Sequence, residues 1–190
     1  KILGPDFKAK NLDYVAWQCD QDAYAASGQK CSATSILFAH ENWVAGGLLE
    51  KLAQRAATRN LDDLTIGPVL TWTTDDMLKH VQKILAIPDS RLLFGGNPLK
   101  NHIIPLQYGA IQPTAVYVPL EEMMKPEYFS LVTTEIFGPF QIVTSYNDDT
   151  LALVLEACER MQNHLTAAVV SDDPVFVNTV LAYTVNGTTY

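Results

Sequence analysis

The sequence contains few of the residues that bind metals or close disulfide frameworks. Its 190 residues include three cysteines, none of them in a CxxC pair, and four histidines, which lie far apart and form no HxxxH or HxH pattern. An odd number of unpaired cysteines argues against a disulfide framework or a zinc ribbon, and it fits a reducing compartment better. We therefore expect no metal site.

Basic side chains and long apolar runs are also scarce. The chain has 13 Lys and Arg residues against 21 Asp and Glu residues, so its formal charge is −8. Binding to nucleic acid or to anionic lipid needs clustered basic side chains, and this balance argues against both as partners. No apolar run approaches the roughly 18 residues that cross a bilayer, so we expect no membrane span.

The common cofactor and nucleophile motifs are missing as well. There is no GxGxxG, GxxxxGK[ST], GxSxG or HExxH pattern. The pairs Gly46-Gly47 and Gly95-Gly96 do not open helices, as the glycines of phosphate-binding loops do. The chain therefore has no dinucleotide-binding fold of its own, and most contacts to any dinucleotide would come from residues outside it.

The composition is that of a folded domain. Apolar residues make up 48% of the chain and charged residues 18%, which is sufficient for one substantial core. Helical spacing of apolar residues predicts helices, and short apolar runs bounded by turn residues predict buried strands. The predicted helices are Asp13–Ala26, Asn42–Ala56, one that begins at Thr73 or Thr74 and ends before Pro88, Leu151–Met161 and Val175–Ala182. The predicted strands are Thr34–Ala39, Arg91–Phe94, Thr114–Val118, Phe140–Tyr146 and Thr166–Val170, with a loop over Asn97–Pro113. Because apolar strands alternate with helices, we expect one α/β domain with a mainly parallel sheet and helices on both faces.

The segment from Ser27 to Ala33 (SGQKCSA) is the sharpest local feature. A helix ends, a glycine turns the chain, and Cys31 follows just before a buried strand, which is a junction that can present a nucleophile at a sheet edge. The neighbouring Lys30 is a cation of the kind that stabilises a thiolate. The alternative is that Cys31 is a small buried hydrophobe, as free cysteines often are. Cys19 and Cys158 lie on helical apolar stripes, so we expect both in the core.

A second feature is the segment Glu135-Ile136-Phe137-Gly138-Pro139, which directly precedes a predicted strand. The Gly-Pro pair breaks any helix and leaves Glu135 and Phe137 on a loop at the sheet edge. A glutamate there can accept hydrogen bonds from ribose hydroxyls, and a phenylalanine can cover a flat ring. The alternative is a solvated glutamate beside a core phenylalanine.

These two features together resemble a known family. The segment Gly28-Gln29-Lys30-Cys31 and, 104 residues after the cysteine, Glu135 to Pro139 are similar to the catalytic-cysteine and cofactor-clamp motifs of the aldehyde dehydrogenase superfamily. The resemblance covers essentially the whole chain, including Asn186-Gly187, and it implies that residues 1–190 are the family's catalytic domain. Lys1–Asp6 and Asp13–Ala33 are most similar to the plant mitochondrial branch that acts on 1-pyrroline-5-carboxylate.

The resemblance implies a role for each site residue. Cys31 matches the nucleophile, which forms a thiohemiacetal with the aldehyde and then, after hydride transfer to NAD, a thioester that water hydrolyses. Its backbone N–H matches one oxyanion donor. Glu135 matches the residue that binds the nicotinamide ribose, with Phe137 beside the ring. Ser32 matches a residue that contacts the substrate carboxylate, and Gly187 and Thr188 match the start of the loop that anchors the substrate's amino-acid end.

The resemblance also implies that several parts of the family's active site lie outside this chain. The family's general-base glutamate, the side-chain amide of its oxyanion hole and its NAD-binding domain would all precede Lys1. We therefore expect a piece of a longer, homo-oligomeric protein of the mitochondrial matrix, inactive by itself, that oxidises L-glutamate γ-semialdehyde. The alternatives are another semialdehyde dehydrogenase, for example one that acts on succinate semialdehyde, and a non-catalytic interaction domain that kept the fold.

Overall fold

The computed structural model describes residues 1–190 and contains eight strands and eight α-helices. The strands are β1 (Ile2–Leu3), β2 (Ile36–His40), β3 (Arg91–Phe94), β4 (Thr114–Tyr117), β5 (Phe140–Tyr146), β6 (Thr166–Ala167), β7 (Val169–Val170) and β8 (Thr188–Thr189). The helices are α1 (Leu12–Tyr24), α2 (Glu41–Ala45), α3 (Leu48–Ala56), α4 (Thr74–Leu85), α5 (Leu120–Met124), α6 (Pro126–Val132), α7 (Leu151–Arg160) and α8 (Pro174–Tyr183).

Six strands form one sheet in the order β3-β4-β5-β2-β1-β7. Every neighbouring pair in it is parallel except the edge pair β3 and β4, which is antiparallel. The two short strands β6 and β8 pair in parallel as a separate ribbon. The predicted α/β domain with a mainly parallel sheet is confirmed.

The core lies on both faces of the sheet, and the central strand β2 contributes to both. Its residues Ile36 and Phe38 belong to an apolar cluster of 23 buried residues, which also contains side chains from α4, α5, α7 and α8. Its residues Leu37 and Ala39 belong to a second cluster of 11 buried residues, which is closed by α1, α2 and α3. Because successive side chains of a strand point to opposite faces, a strand covered on both sides is predominantly apolar on both faces.

One predicted helix is two helices, because the Gly46-Gly47 pair interrupts it. The prediction of a single helix over 42–56 is wrong: α2 ends at Ala45 and α3 begins at Leu48. Gly47 has a φ of +91°, which no α-helix tolerates. A Cβ at Gly46 would lie 2.4 Å from the Phe7 ring, so the ring packs directly on this break. The cap of α2 is His40, whose Nδ1 accepts the Asn42 N–H, and not Asn42 itself.

The predicted strand over 166–170 is also divided. Thr166 and Ala167 pair with β8, whereas Val169 and Val170 pair with β1 in the main sheet. Between them the Ala168 carbonyl accepts a hydrogen bond from the Ile2 N–H. The chain therefore changes partners within five residues, which an apolar run in the sequence does not reveal.

Two short helices, α5 and α6, were not predicted. They bury Met123 and Phe129 against the larger cluster and are separated at Lys125 by Pro126, which occupies the first position of α6. Helices of five and seven residues are too short to establish an apolar period. None of the helices combines the length and apolar character that crossing a bilayer requires.

Candidate active site

Cys31 follows a strained turn at the C-terminal end of α1. Three consecutive residues, Ala26, Ser27 and Gly28, have φ values of +54°, +58° and +69°. A left-handed conformation costs a residue with a side chain roughly 1–2 kcal/mol, so surrounding contacts must hold this turn. After Gln29, a second turn closed by the Ala33 N–H on the Lys30 carbonyl exposes Cys31.

Hydrogen bonds to the segment Gly67–Leu70 hold this turn in place. Ser27 Oγ accepts the Gly67 N–H at 2.7 Å and donates to the Gly67 carbonyl at 3.2 Å. The Gln29 side chain donates through Nε2 to the Pro68 carbonyl and accepts the Leu70 N–H at Oε1, both at 2.9 Å. The backbone of residues 67–70, called the template below, therefore holds the conformation of the turn.

A buried ion pair joins α1 to the chain that leads into this template. Arg59 Nη2 lies 2.6 Å from Asp20 Oδ2, and both side chains are about one-twentieth exposed. Arg59 also donates to the Thr65 carbonyl at 3.0 Å. The pair thus fixes the approach of residues 59–65 to the helix that ends at the cysteine turn.

The Glu135 loop packs directly against the cysteine turn. A Cβ at Gly28 would lie only 2.2 Å from the Gly138 carbonyl oxygen, so the two backbones are in contact there and only glycine fits. Thr71 donates to the Ile136 carbonyl at 3.2 Å, which ties the same loop to the template side. Phe137, with a φ of +52°, is the residue between these two contacts. The structure therefore joins the two motifs that the sequence separates by 104 positions.

The ribbon of β6 and β8 contacts the cysteine turn through Thr166. Thr166 Oγ1 donates to the Cys31 carbonyl at 3.2 Å, and Thr166 is paired with Thr188 across the ribbon. The Gly187 N–H donates to the His164 carbonyl at 2.8 Å. Gly187 and Thr188, which were predicted from sequence to bind substrate, therefore lie one strand away from the cysteine. The contact between Thr166 and the cysteine turn was not predicted, because nothing in the sequence distinguishes this threonine from the apolar run that contains it.

Of the three cysteines, only Cys31 is exposed. Burial raises the pKa of the Cys19 thiol to about 11, and it also raises the pKa of the half-buried Cys158. A thiol must ionise to act as a nucleophile, so these two cysteines are suited to the core positions that were predicted for them. Lys30 donates to the Gln21 carbonyl of α1 and makes no bond to the thiol.

Several polar groups of the cysteine turn and the Glu135 loop have no hydrogen-bond partner within the chain. The Cys31 backbone N–H makes no hydrogen bond, and the half-buried Ser32 hydroxyl makes none either. Glu135 is exposed and its carboxylate has neither a hydrogen bond nor an ion pair, while Phe137 beside it is half-buried. A carboxylate without a partner can accept a hydrogen bond from a ribose hydroxyl, and a partly exposed ring can cover a planar base. No group of three His, Cys, Asp or Glu side chains is arranged to hold a metal.

Comparisons with known proteins identify the family. The model of the aldehyde dehydrogenase family matches residues 7–190. The whole chain is 64% identical to a part of delta-1-pyrroline-5-carboxylate dehydrogenase 12A1, mitochondrial, of Arabidopsis thaliana, and 63% identical to a part of a probable aldehyde dehydrogenase of Linum usitatissimum. In each case the chain spans 34% of the relative's length.

A solved structure agrees in fold. Proline utilization A (PutA) of Bradyrhizobium japonicum, in its D779W mutant, matches the whole chain with a TM-score of 0.78 at 24% identity, and the match covers 18% of that protein. At this identity the similarity speaks for the fold alone. With the family model matched over almost the entire chain, and with two relatives above 60% identity, this chain belongs to the aldehyde dehydrogenase family.

Proposed function

We propose that this chain is the cysteine-bearing catalytic part of an NAD-dependent enzyme that oxidises L-glutamate γ-semialdehyde to L-glutamate, as in the breakdown of proline. The observation that carries the proposal is the contact between Gly28 and the Gly138 carbonyl, which places the exposed Cys31 turn against the loop of Glu135 and Phe137. A structural cysteine would need neither exposure nor this neighbour.

Cys31 is the nucleophile in this proposal. Its thiolate attacks the aldehyde carbon, a C–S bond forms, and the electron pair of the C=O bond moves to the oxygen, to which the free Cys31 N–H donates. Loss of hydride from the same carbon leaves a thioester, and water then releases the carboxylic acid and regenerates the thiol. Cys31 follows the C-terminal end of α1 and not a helix N-terminus, so this helix does not activate it, and we propose that the group that activates the thiol lies outside this chain.

Glu135 and Phe137 would hold the nicotinamide end of NAD. The unpaired Glu135 carboxylate accepts hydrogen bonds from ribose hydroxyls, and the Phe137 ring packs beside the base. When bound, NAD supplies the hydride acceptor. The contact at Gly28 keeps this pair at a fixed position relative to Cys31, so the chain orients the two reacting centres.

The substrate carboxylate and amino group would be bound by Ser32, Gly187 and Thr188. The Ser32 hydroxyl has no partner within the chain, and the ribbon that holds Gly187 and Thr188 is fastened to the Cys31 carbonyl through Thr166. Hydroxyl and backbone donors suit an amino-acid group, whereas a lone carboxylate, as in succinate semialdehyde, calls for an Arg or Lys anchor.

We further propose that residues 1–190 are one domain of a longer protein. The curated relatives are about three times as long, which leaves room for an NAD-binding domain, the general base and the amide of the oxyanion hole. The proposal includes assembly of the full-length protein as a homo-oligomer. The name of the Arabidopsis relative supports a mitochondrial location, and within the mitochondrion we propose the matrix. The isolated 190-residue chain should then have no turnover with NAD.

The test is NADH formation by the full-length protein with 1-pyrroline-5-carboxylate or succinate semialdehyde as substrate. We expect a strong preference for 1-pyrroline-5-carboxylate, loss of activity in Cys31→Ala, and full activity in Cys158→Ala as the matched control. A preference for succinate semialdehyde would overturn the substrate and the role given to Ser32. Full activity in Cys31→Ala would overturn the mechanism and favour an interaction domain.

A further inference from the structure

The turn that presents Cys31 depends on contacts from outside itself. Ala26 and Ser27 are both left-handed although neither is glycine, and such a conformation persists only where the surroundings fix it. Ser27 has its two bonds to Gly67, but it precedes the thiol by four positions. The contact nearest in sequence to Cys31 on the template side is made by Gln29, two positions before it.

The Gln29 side chain makes two hydrogen bonds of opposite polarity at once. It donates to the Pro68 carbonyl and accepts from the Leu70 N–H, both at 2.9 Å. A neutral amide has both a donor and an acceptor at the required separation, whereas a carboxylate has only acceptors and an ammonium only donors. Gln29 thus pairs with the template as another backbone strand would.

The template itself is anchored in the core. Val69, between the two partners of Gln29, is completely buried and belongs to the larger apolar cluster. Its N–H and carbonyl both pair with Gly109 at 2.8 Å. The two partners of Gln29 are therefore joined through Val69 to the apolar core, and the Gln29 side chain links the cysteine turn to them.

We propose that Gln29 is a positioning residue for the nucleophile: its paired hydrogen bonds to Pro68 and Leu70 hold the Cys31 turn in register with the Glu135 loop. It touches neither the aldehyde nor NAD and acts only through the backbone of the turn. The proposal rests on the function proposed above, since a nucleophile in need of positioning is assumed. Loss of both bonds lets the turn relax and moves the thiol from its line of attack, which slows the chemical step and leaves NAD binding unchanged.

Two variants of the full-length protein test this. Gln29→Met keeps the length of the side chain and removes both bonds. We expect kcat to fall about tenfold, which is less than the roughly 100-fold that a misplacement of 1 Å can cost. The Kd of NAD should not change. Gln82→Glu, on the exposed side of α4, is the control for a Gln replacement that breaks no bond, and it should match the wild type.

Gln29→Glu makes the hydrogen bonds of this side chain depend on pH, which gives a second measurement. The ionised carboxylate repels the Pro68 carbonyl, but the protonated form has one donor and one acceptor, as the amide does. We therefore expect the rate at which iodoacetamide alkylates Cys31 in Gln29→Glu to differ from the wild-type rate while the carboxylate is ionised. The ratio of the two rates at the same pH should return toward one as the pH falls to the pKa of the new carboxyl group. If Gln29→Met fails to fold, this pH series decides.

The outcomes separate this proposal from the function on which it rests. Wild-type kcat and alkylation rate in Gln29→Met, together with an inactive Cys31→Ala, would overturn the positioning role alone. A fully active Cys31→Ala would overturn the proposed function, while the alkylation rates would still report whether Gln29 orders the turn. A Gln29→Glu to wild-type ratio that stays constant with pH would also overturn the positioning role.

Discussion

The contact between Gly28 and the Glu135 loop gives the sharpest prediction, which is the effect of Gly28→Ala. The added methyl group would lie 2.2 Å from the Gly138 carbonyl oxygen and 2.9 Å from the Ala23 carbonyl oxygen. Ordinary contact between a methyl carbon and an oxygen begins above 3 Å, so the loop must retreat by about 1 Å. A displacement of this size between reacting groups lowers turnover about 100-fold.

Gly47→Ala is the matched control for the strain in this prediction. Gly47 also has a positive φ, +91°, but its nearest neighbour to an added Cβ is the Glu50 carboxylate at 3.8 Å, and it lies outside the candidate site. The left-handed alanine should cost both variants about 1–2 kcal/mol of unfolding free energy, and the clash with two carbonyl oxygens should lower the stability of Gly28→Ala further. Only Gly28→Ala should lose turnover.

The assay is steady-state NADH formation by the full-length variants, with urea denaturation as the measure of stability. If Gly28→Ala keeps the kcat of Gly47→Ala, the contact between the two loops does not set the geometry of the site, and the argument for their joint action is refuted. If both variants lose turnover equally, strain alone explains the effect and the same argument fails.

Three further predictions concern other groups. Iodoacetamide should label the exposed Cys31 long before the buried Cys19, whose pKa is raised to about 11, as peptide mass spectrometry of timed samples will show; equal labelling would contradict the assignment. Arg59→Met leaves the Asp20 carboxylate buried and unpaired, so the free energy of unfolding should fall by about 3–5 kcal/mol in urea titrations, and a loss near zero would refute the importance of the pair. Burial lowers the pKa of His80 below the ordinary 6.5, so the unfolded chain binds a proton before the folded chain does as the pH falls. The free energy of unfolding should therefore decline below pH 6.5 and level off below the pKa of the folded state. In His80→Phe this part of the decline should be absent.

Most of the sheet could be predicted from the sequence because its strands are covered on both faces. β5 was predicted at its observed bounds, Phe140–Tyr146, since every position between two apolar clusters must be compatible with burial. α4 was equally clear, because Thr73 caps it and its apolar residues repeat at helical spacing. The residues that determine each of these elements lie within one contiguous segment of the sequence.

The predictions that were wrong concern segments whose structure is decided by residues distant in sequence. The break at Gly46 is stabilised by Phe7, and the division of the 166–170 segment is decided by β1 and by β8. The candidate site shows the same limit. The motifs around Cys31 and Glu135 were recognisable, but their contact through Gly28 is a matter of tertiary structure.

The short ribbon of β6 and β8 has a consequence for changing the specificity of this protein. Through Thr166 the strand β6 contacts the carbonyl of Cys31, the proposed nucleophile, and through its pairing with Thr188 it holds the start of the proposed substrate anchor. A parallel pair two residues long has no independent register, so inserting or deleting a residue between His164 and Ala168 displaces both at once. If the proposed roles of Cys31 and Thr188 hold, the position of the thiol and the position of the substrate anchor change together, and a new substrate has to be accommodated by exchanging side chains on an unchanged backbone.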